Sequence, residues 1–291
     1  MAEKTRPQDW KSGVVPDWCP GCGDHGVLGS LQKACSGLGL ARKDVLVVSG
    51  IGCSSNLPGF FRSYGFHSLH GRAVPVATGA KLANPALTVV VTGGDGDGYG
   101  IGLGHFLHAA RRNLDLTYIV MDNQVYGLTT GQASSTTALG VKTKSTPEGV
   151  IERPINPLLL ALSAGATFVA RAYSMETGHM VETFMAAIRH KGFSLVDCFS
   201  PCVTWNRLNT YEWFKSRVAK LDAASHDRTD LAAAMRKAAE EDPFPLGVFY
   251  ARTDLPTYEE LDPTIRTHGS VAGLPLGLSP QEQEELLAGF L

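Results

Sequence analysis

The chain has 291 residues, 44% of them apolar, enough to bury a sizeable core as one large domain or two small ones. Its formal charge of -2 gives no basic excess that would point to nucleic acid or an anionic membrane, so a small-molecule or protein partner is expected. Six cysteines, at 19, 22, 35, 53, 198 and 202, are too sparse for a disulfide-built mini-domain. The opening MAEKTRPQDWKSG lacks a signal peptide's apolar stretch, and no window approaches about 18 consecutive apolar residues, so no membrane span and a cytoplasmic location are expected.

In chain order, DWCPGCGDHG (17–26) comes first, a Cys-X-X-Cys ahead of a helical pattern over 25–39. Short β-rich runs bounded by glycine or proline follow at 45–50, 87–94, 116–123, 167–172 and 194–201, with helical spacing between them at 76–84, 101–112, 156–164 and 177–191. Strand and helix alternate, which predicts an α/β fold with a doubly wound, mostly parallel sheet. Past residue 203 the pattern weakens to a helix over 228–241 and a strand over 247–253. The segment 254–291 reads as a surface extension or a partner-wrapping tail. The expected division is a cofactor-binding domain over 1–210 and a C-terminal extension over 211–291, packing on that domain or on a partner.

In such sheets ligands gather beyond the carboxyl ends of the strands. There the sequence places Gly52-Cys53-Ser54, Gly94-Asp95-Gly96, Asp122-Asn123 and Pro201-Cys202. The stretch GGDGDGYGIGLG (93–104) allows close approach to an anion, although a glycine-rich loop is also the composition of a flexible turn. It contains no G-X-G-X-X-G. The one strict match, Gly21 to Gly26, lacks a preceding strand, so a dinucleotide is not expected. Asp95 and Asn123, at adjacent strand ends, offer the oxygen ligands that Mg²⁺ takes while bridging to substrate phosphates.

Gly94-Asp95-Gly96 with Asn123 resembles the G-D-G…N signature of thiamine diphosphate enzymes. The resemblance implies that Asp95, Asn123 and the Val125 carbonyl hold Mg²⁺ on the diphosphate, with Gly127 and Leu128 beside the cofactor. Asp97 is placed near the cofactor in a secondary role, more solvated than ligating. Many such enzymes have no iron–sulfur centre, so Cys19 and Cys22 need a further explanation. A [4Fe–4S] cluster takes four thiolates, which distant parts of a chain can supply, and Cys53 and Cys202 are the other candidates.

Taken together, C-P-G-C-G-D-H-G, G-I-G-C-S, H-G-R-A with A-T-G-A-K, G-D-G-D-G, N-Q-V-Y-G-L-T-T-G-Q and S-P-C-V-T-W resemble, in that order, the β subunit of 2-oxoacid:ferredoxin oxidoreductases over residues 15–210. The resemblance implies a thiamine-diphosphate-binding fold and a cofactor site that also includes Ile51, Gly52, Cys53, Ser54, His70 and Gly96. It implies a [4Fe–4S] cluster on Cys19, Cys22, Cys53 and Cys202, with Cys198 the rival for the last position. The activity implied is CoA-acylating oxidative decarboxylation of a 2-oxoacid, 2-oxoglutarate before pyruvate, with electrons passing to ferredoxin. No glutamate here matches the one that activates thiamine. That residue is expected on an α subunit, in an αβ or (αβ)2 assembly.

Other readings of the same residues stay open. Cys19 and Cys22 could exchange disulfides, although the preceding KSGVVPD makes a poor strand. With Cys53 they could hold structural zinc in a thiamine-dependent decarboxylase or carboligase. The chain could also be a non-catalytic, cluster-bearing electron-transfer subunit. Cys35 reads as a small buried hydrophobe, His25 and His105 as structural, and Arg62, Arg72 and Arg171 as solvated or structural.

Overall fold

The computed structural model describes residues 5–222, 224–274 and 277–289. Residues 1–4, where the sequence was read for a leader, and 223, 275–276 and 290–291 of the C-terminal segment lie outside that description. Eight strands form one sheet: β1 (Val45–Ser49), β2 (Tyr64–His67), β3 (Thr88–Gly94), β4 (Thr117–Asp122), β5 (Phe168–Tyr173), β6 (Ser194–Phe199), β7 (Val218–Lys220) and β8 (Phe244–Ala251). Their order is β2-β1-β3-β4-β6-β5-β8-β7, and every neighbouring pair is parallel except β5 with β8.

The strands alternate their side chains between two apolar layers, as a period of two requires. Val48, Val91, Tyr118, Val120 and Leu195 face helices α3 (Ala73–Ala83), α4 (Leu103–Arg112), α5 (Pro157–Ser163) and α8 (Leu231–Ala238). Val47, Val90, Ile119, Met121 and Val196 face α1 (Asp24–Gly37), α2 (Leu57–Phe60) and α6 (Thr177–Arg189). In α1 the core face is Val27, Leu28, Leu31, Ala34 and Cys35, the i, i+3, i+4 spacing of an amphipathic helix. Cys35 is fully buried there. The doubly wound α/β fold is therefore present, its central strands within two residues of the runs read from sequence.

The chain leaves β1 for β2 on one side and later returns to place β3 on the other. A crevice opens at such a reversal because the two outgoing loops diverge. The loops after β1, β3 and β4 carry residues 50–54, 95–97 and 123–128 into it.

Residues after 210 join the same sheet. Helix α7 (Tyr211–Lys215) and β8 contribute Phe214 and Leu246 to a cluster with Tyr173 and Phe199, while Phe249 and Tyr250 enter the α3 side of the core. Burying each such side chain is worth about 1.5–3 kcal/mol, so losing β8 would remove an amount comparable with a domain's whole stability of about 5–15 kcal/mol. Beyond it, a short helix at Tyr258–Leu261 docks through Glu259, which accepts the Asp115 N–H at 3.1 Å. Among the described residues no helix is long and apolar enough to cross a membrane.

Candidate functional site

Every residue singled out above for cofactor binding, from Ile51 to Leu128, lines one cleft of about 100 Å³, together with Tyr126 and Thr129. Asp95 lies at the end of β3, 1% exposed. Its Oδ1 accepts the Asn123 N–H at 3.4 Å, and its Oδ2 accepts the Thr136 hydroxyl at 2.7 Å. That hydroxyl also lies 3.0 Å from Asp122 Oδ1. One hydroxyl has one proton, which the two carboxylates share. Asp122 Oδ1 also accepts the Gln124 N–H at 3.1 Å, and burial, with Asp95 and Asp197 nearby, holds the Asp122 carboxyl well above its ordinary range. Burial also raises Asp95, to about 6, against the hydrogen bonds it accepts.

Asn123 Oδ1 accepts the Val125 N–H at 3.1 Å, which leaves it a second lone pair. The Asn123 carbonyl in turn accepts from Asn206 Nδ2 at 2.9 Å. Asp95, Asn123 and Val125 thus bring carboxylate, amide and carbonyl oxygens to one cleft, the donor chemistry that Mg²⁺ prefers.

Asp97 corrects the expectation of a solvated side chain, for it is 2% exposed. Its Oδ1 accepts from Ile51 N at 2.9 Å, Gly71 N at 2.7 Å and His70 Nδ1 at 2.7 Å. An acceptor carboxylate fixes a proton on His70 Nδ1. Asp97 therefore ties the loop after β1 to the histidine of the cleft. The carboxylate fits because residue 50 is glycine; a Cβ there would overlap it. His67 is structural, its Nδ1 donating to the Ser55 carbonyl at 2.8 Å.

Cys19, Cys22, Cys53 and Cys202 all line a neighbouring cavity of about 210 Å³, which shares Cys53, Asn123, Gly127 and Leu128 with the first cleft. Cys198 does not reach it; fully buried in β6, it lies 3.4 Å from the Met180 sulfur. The 17–26 turn is pinned from three sides. Trp18 Nε1 donates to the Cys53 carbonyl at 2.6 Å, Gly23 N to Pro201 O at 3.2 Å, and Tyr211 Oη to Gly21 O at 2.7 Å. Gly23 allows that approach, since a Cβ there would run into the Ser200–Pro201 backbone. Burial and the Asp24 carboxylate push the Cys22 thiol up, and the same two causes push Cys53 up to about 11. A disulfide-exchange pair needs the opposite shift.

Four contributors escaped the sequence reading. Asp24, buried and accepting the Ser200 hydroxyl at 2.6 Å, sits against the thiols. Thr136, Asn206 and Trp18 support the cleft and the turn. Trp18 and Asp24 stand within the quoted DWCPGCGDHG without having been singled out, while Thr136 and Asn206 lie outside the quoted motifs and act through contacts made in the folded chain. Arg171 is structural and not solvated, its Nε 2.9 Å from Asp197 Oδ2 and its guanidinium 4.8 Å from the Phe199 ring centre.

A glycine-bounded Asp and an Asn at adjacent parallel strand ends, over a histidine held by a buried carboxylate, define a thiamine-diphosphate type of site. Residues 50–198 match the family model for the C-terminal TPP-binding domain of thiamine pyrophosphate enzymes. Residues 202–267 match that for the C-terminal part of the pyruvate ferredoxin oxidoreductase beta subunit. A 2-oxoacid:ferredoxin oxidoreductase subunit beta from Sulfolobus sp. is 48% identical, covering 84% of each chain. The 2-oxoglutarate oxidoreductase subunit KorB of Mycobacterium tuberculosis is 45% identical over 68% of this chain and 53% of its own. Among solved structures, the 2-oxoglutarate:ferredoxin oxidoreductase of Magnetococcus marinus, with 2-oxoglutarate, coenzyme A and succinyl-CoA bound, superposes with a TM-score of 0.89 at 41% identity, covering 98% of this chain and 96% of that one. The chain belongs to the family of 2-oxoacid:ferredoxin oxidoreductase β subunits, and so to an oxidoreductase that is completed by a partner subunit.

Proposed function

We propose that the chain is the thiamine diphosphate- and cluster-binding subunit of a CoA-acylating 2-oxoacid:ferredoxin oxidoreductase, with 2-oxoglutarate as first substrate and pyruvate second. The observation that carries this reading is the shared wall. Gly127 separates the two cavities, and a Cβ built on it would lie 3.4 Å from the Cys202 sulfur and 3.8 Å from that of Cys53. When bound, thiamine diphosphate would supply the carbanion that adds to a 2-oxo carbon, and a [4Fe–4S] cluster a one-electron acceptor beside it.

The chain's own residues divide the remaining work. Asp95, Asn123 and the Val125 carbonyl would hold Mg²⁺, while Asp97 orients His70 toward the diphosphate cleft. Cys19, Cys22, Cys53 and Cys202 would each ligate one iron. The described residues include no group of three or more His, Cys, Asp or Glu arranged to hold a single metal ion. Four thiols on one cavity match the ligand number of a [4Fe–4S] cluster; structural zinc accepts the same thiolates, and metal analysis separates the two. Substrate preference is supported by the 2-oxoglutarate relatives; the activating glutamate and further substrate contacts would come from the α subunit, in an αβ or (αβ)2 enzyme.

The test is anaerobic purification with the partner subunit, metal analysis, and the visible spectrum on adding each 2-oxoacid. About four irons per chain and bleaching by 2-oxoglutarate ahead of pyruvate are expected. Zinc without iron would favour the decarboxylase reading, and iron that no 2-oxoacid reduces would favour an electron-transfer subunit.

A further inference from the structure

A cavity of about 370 Å³ lies at the carboxyl ends of β4 and β6, where Asp122 and Phe199 line it. It shares no lining residue with the diphosphate cleft, and the chemistry proposed above does not use it. Its size is within the range of small-molecule pockets, about 300–1,000 Å³.

Its inner wall is rich in donors. Arg171, 4% exposed, spends its Nε on Asp197 at 2.9 Å, and among the described residues neither of its Nη atoms makes a hydrogen bond. Asn209, also 4% exposed, accepts from Asn206 Nδ2 at 2.9 Å through its amide oxygen, and its own NH2 has no partner among the described residues. Arg217, whose guanidinium lies 4.8 Å from the Trp213 ring centre, has no ion-pair partner among them. Buried donors left without partners are costly and rare. Two of them on one cavity, beside a second guanidinium, mark an anion subsite, and a carboxylate matches the planar arginine fork with two parallel bonds.

The remaining walls narrow the ligand. Glu241 and Asp242 line the same cavity, both exposed and without an ion-pair partner among the described residues. The acids thus lie toward solvent while Arg171 and Asn209 lie inward, a separation of charge that suits a zwitterion better than a simple anion. Ile155, Leu208, Trp213 and Phe244 make the rest of the wall largely apolar. We propose that the cavity binds an α-amino acid with an apolar side chain, its carboxylate on Arg171 and Asn209, its ammonium toward Glu241 and Asp242, and its side chain against the apolar wall.

The site is placed to act on the cofactor cleft. Thr136 lines it and donates to Asp95 Oδ2 at 2.7 Å. Gln124 also lines it, and stands between Asn123 and Val125 with a left-handed φ of 58°. A ligand seated against Thr136 and Gln124 favours the arrangement of Asp95, Asn123 and Val125 that Mg²⁺ and thiamine diphosphate would use. The two ligands should therefore bind with positive coupling, which thermodynamics makes reciprocal. The coupling rests on the cofactor reading above; the amino acid site does not.

The experiment is titration calorimetry on the anaerobically purified complex with its partner. The probes are L-leucine and L-phenylalanine, each with its des-amino acid and its decarboxylated amine. At least one amino acid should bind, and both of its single-charge analogues should bind at least about tenfold more weakly. Arg171→Lys keeps a cation beside Asp197 but loses the fork, and the double variant Glu241→Gln, Asp242→Asn changes only exposed side chains. Each should weaken the amino acid about tenfold, and the unfolding temperature of the double variant should hold. The bound amino acid should tighten thiamine diphosphate binding about fivefold. Failure of both amino acids to bind the parent would mean a cavity filled by water alone and overturns the site. So does equal affinity for the des-amino acid, which would dispense with the acidic wall, or binding that neither variant weakens, which would place it elsewhere. An amino acid that binds without shifting the affinity for thiamine diphosphate overturns the coupling. If the parent binds no thiamine diphosphate, it is the cofactor reading that fails, and the variants still decide the amino acid site.

Discussion

On the β3 side of the 123–128 loop, Asp95 accepts two hydrogen bonds, one oxygen of Asp97 accepts three, and Asn123 is held at both its amide oxygen and its carbonyl. On the N-terminal side, the backbone of the cysteine turn is pinned to residues 53, 201 and 211. Its two thiols, together with those of Cys53 and Cys202, face a cavity that is twice as large. The first site is built by the protein before any cofactor arrives. The second is a frame whose thiols need a ligand to join them. The two sides should therefore respond differently to the loss of a single residue.

The largest effect is expected at the frame. Cys202→Ala should lose the iron and its visible absorption, while Cys198→Ala should keep both and cost only about 1 kcal/mol of stability as a small core truncation. Metal analysis of the two purified variants decides it, and the reverse pattern would move the fourth ligand into β6. Next comes the prebuilt side. Asp95→Ala should weaken thiamine diphosphate binding by about 100-fold or more, in the range of a lost metal ligand with its hydrogen bonds, with iron content unchanged. Thr136→Val, which removes the proton shared by Asp95 and Asp122, should weaken it by about tenfold, the usual scale for a supporting contact. Titration calorimetry with Mg²⁺ measures both, and a loss of iron in either variant would show that the two sides are not independent.

These contrasts also explain what the sequence disclosed. Asp95, Asn123 and the four cysteines stood out as candidates because each sits just beyond a strand or in a short motif, and the folded chain brings them to two adjoining cavities. The central strands were legible because both of their faces are buried, giving near-continuous apolar runs. β2 was not, since all four of its residues are exposed at the sheet edge. Asp97 was misjudged because its burial depends on Gly50 and Gly71, more than 20 positions away, and a charged residue in a glycine-rich stretch ordinarily faces water. Asp24 stands in the C-P-G-C-G-D-H-G motif but its burial against Ser200 is not marked there, and Asn206 stands outside every motif; only the folded chain brings them to the thiols and to Asn123.

Gly50→Ala probes that long-range dependence. Its Cβ would occupy the space of the Asp97 carboxylate, and relieving the overlap means moving a buried charge with three donors. A cost of about 1–3 kcal/mol is expected, as for other overpacked cores, with a lower unfolding temperature and weaker thiamine diphosphate binding through a displaced His70. Stability that falls while cofactor affinity holds would separate the Asp97 anchor from the cofactor.

The smallest effect is expected at the shared wall. Gly127→Ala adds a methyl group at ordinary contact distance, 3.4 Å from the Cys202 sulfur and 4.0 Å from Asn123 Nδ2. Residue 127 has no left-handed backbone to resist the change, so folding should be nearly unaffected. The methyl group leans toward the thiols, where it would exclude solvent from two of the proposed cluster ligands, and exposure is one of the factors that set a cluster's potential. The cluster's reduction potential should therefore shift while thiamine diphosphate affinity stays within about twofold. A loss of cofactor affinity with an unshifted potential would place the fragile side of the wall at the diphosphate instead, reversing the contrast between a prebuilt site and a frame.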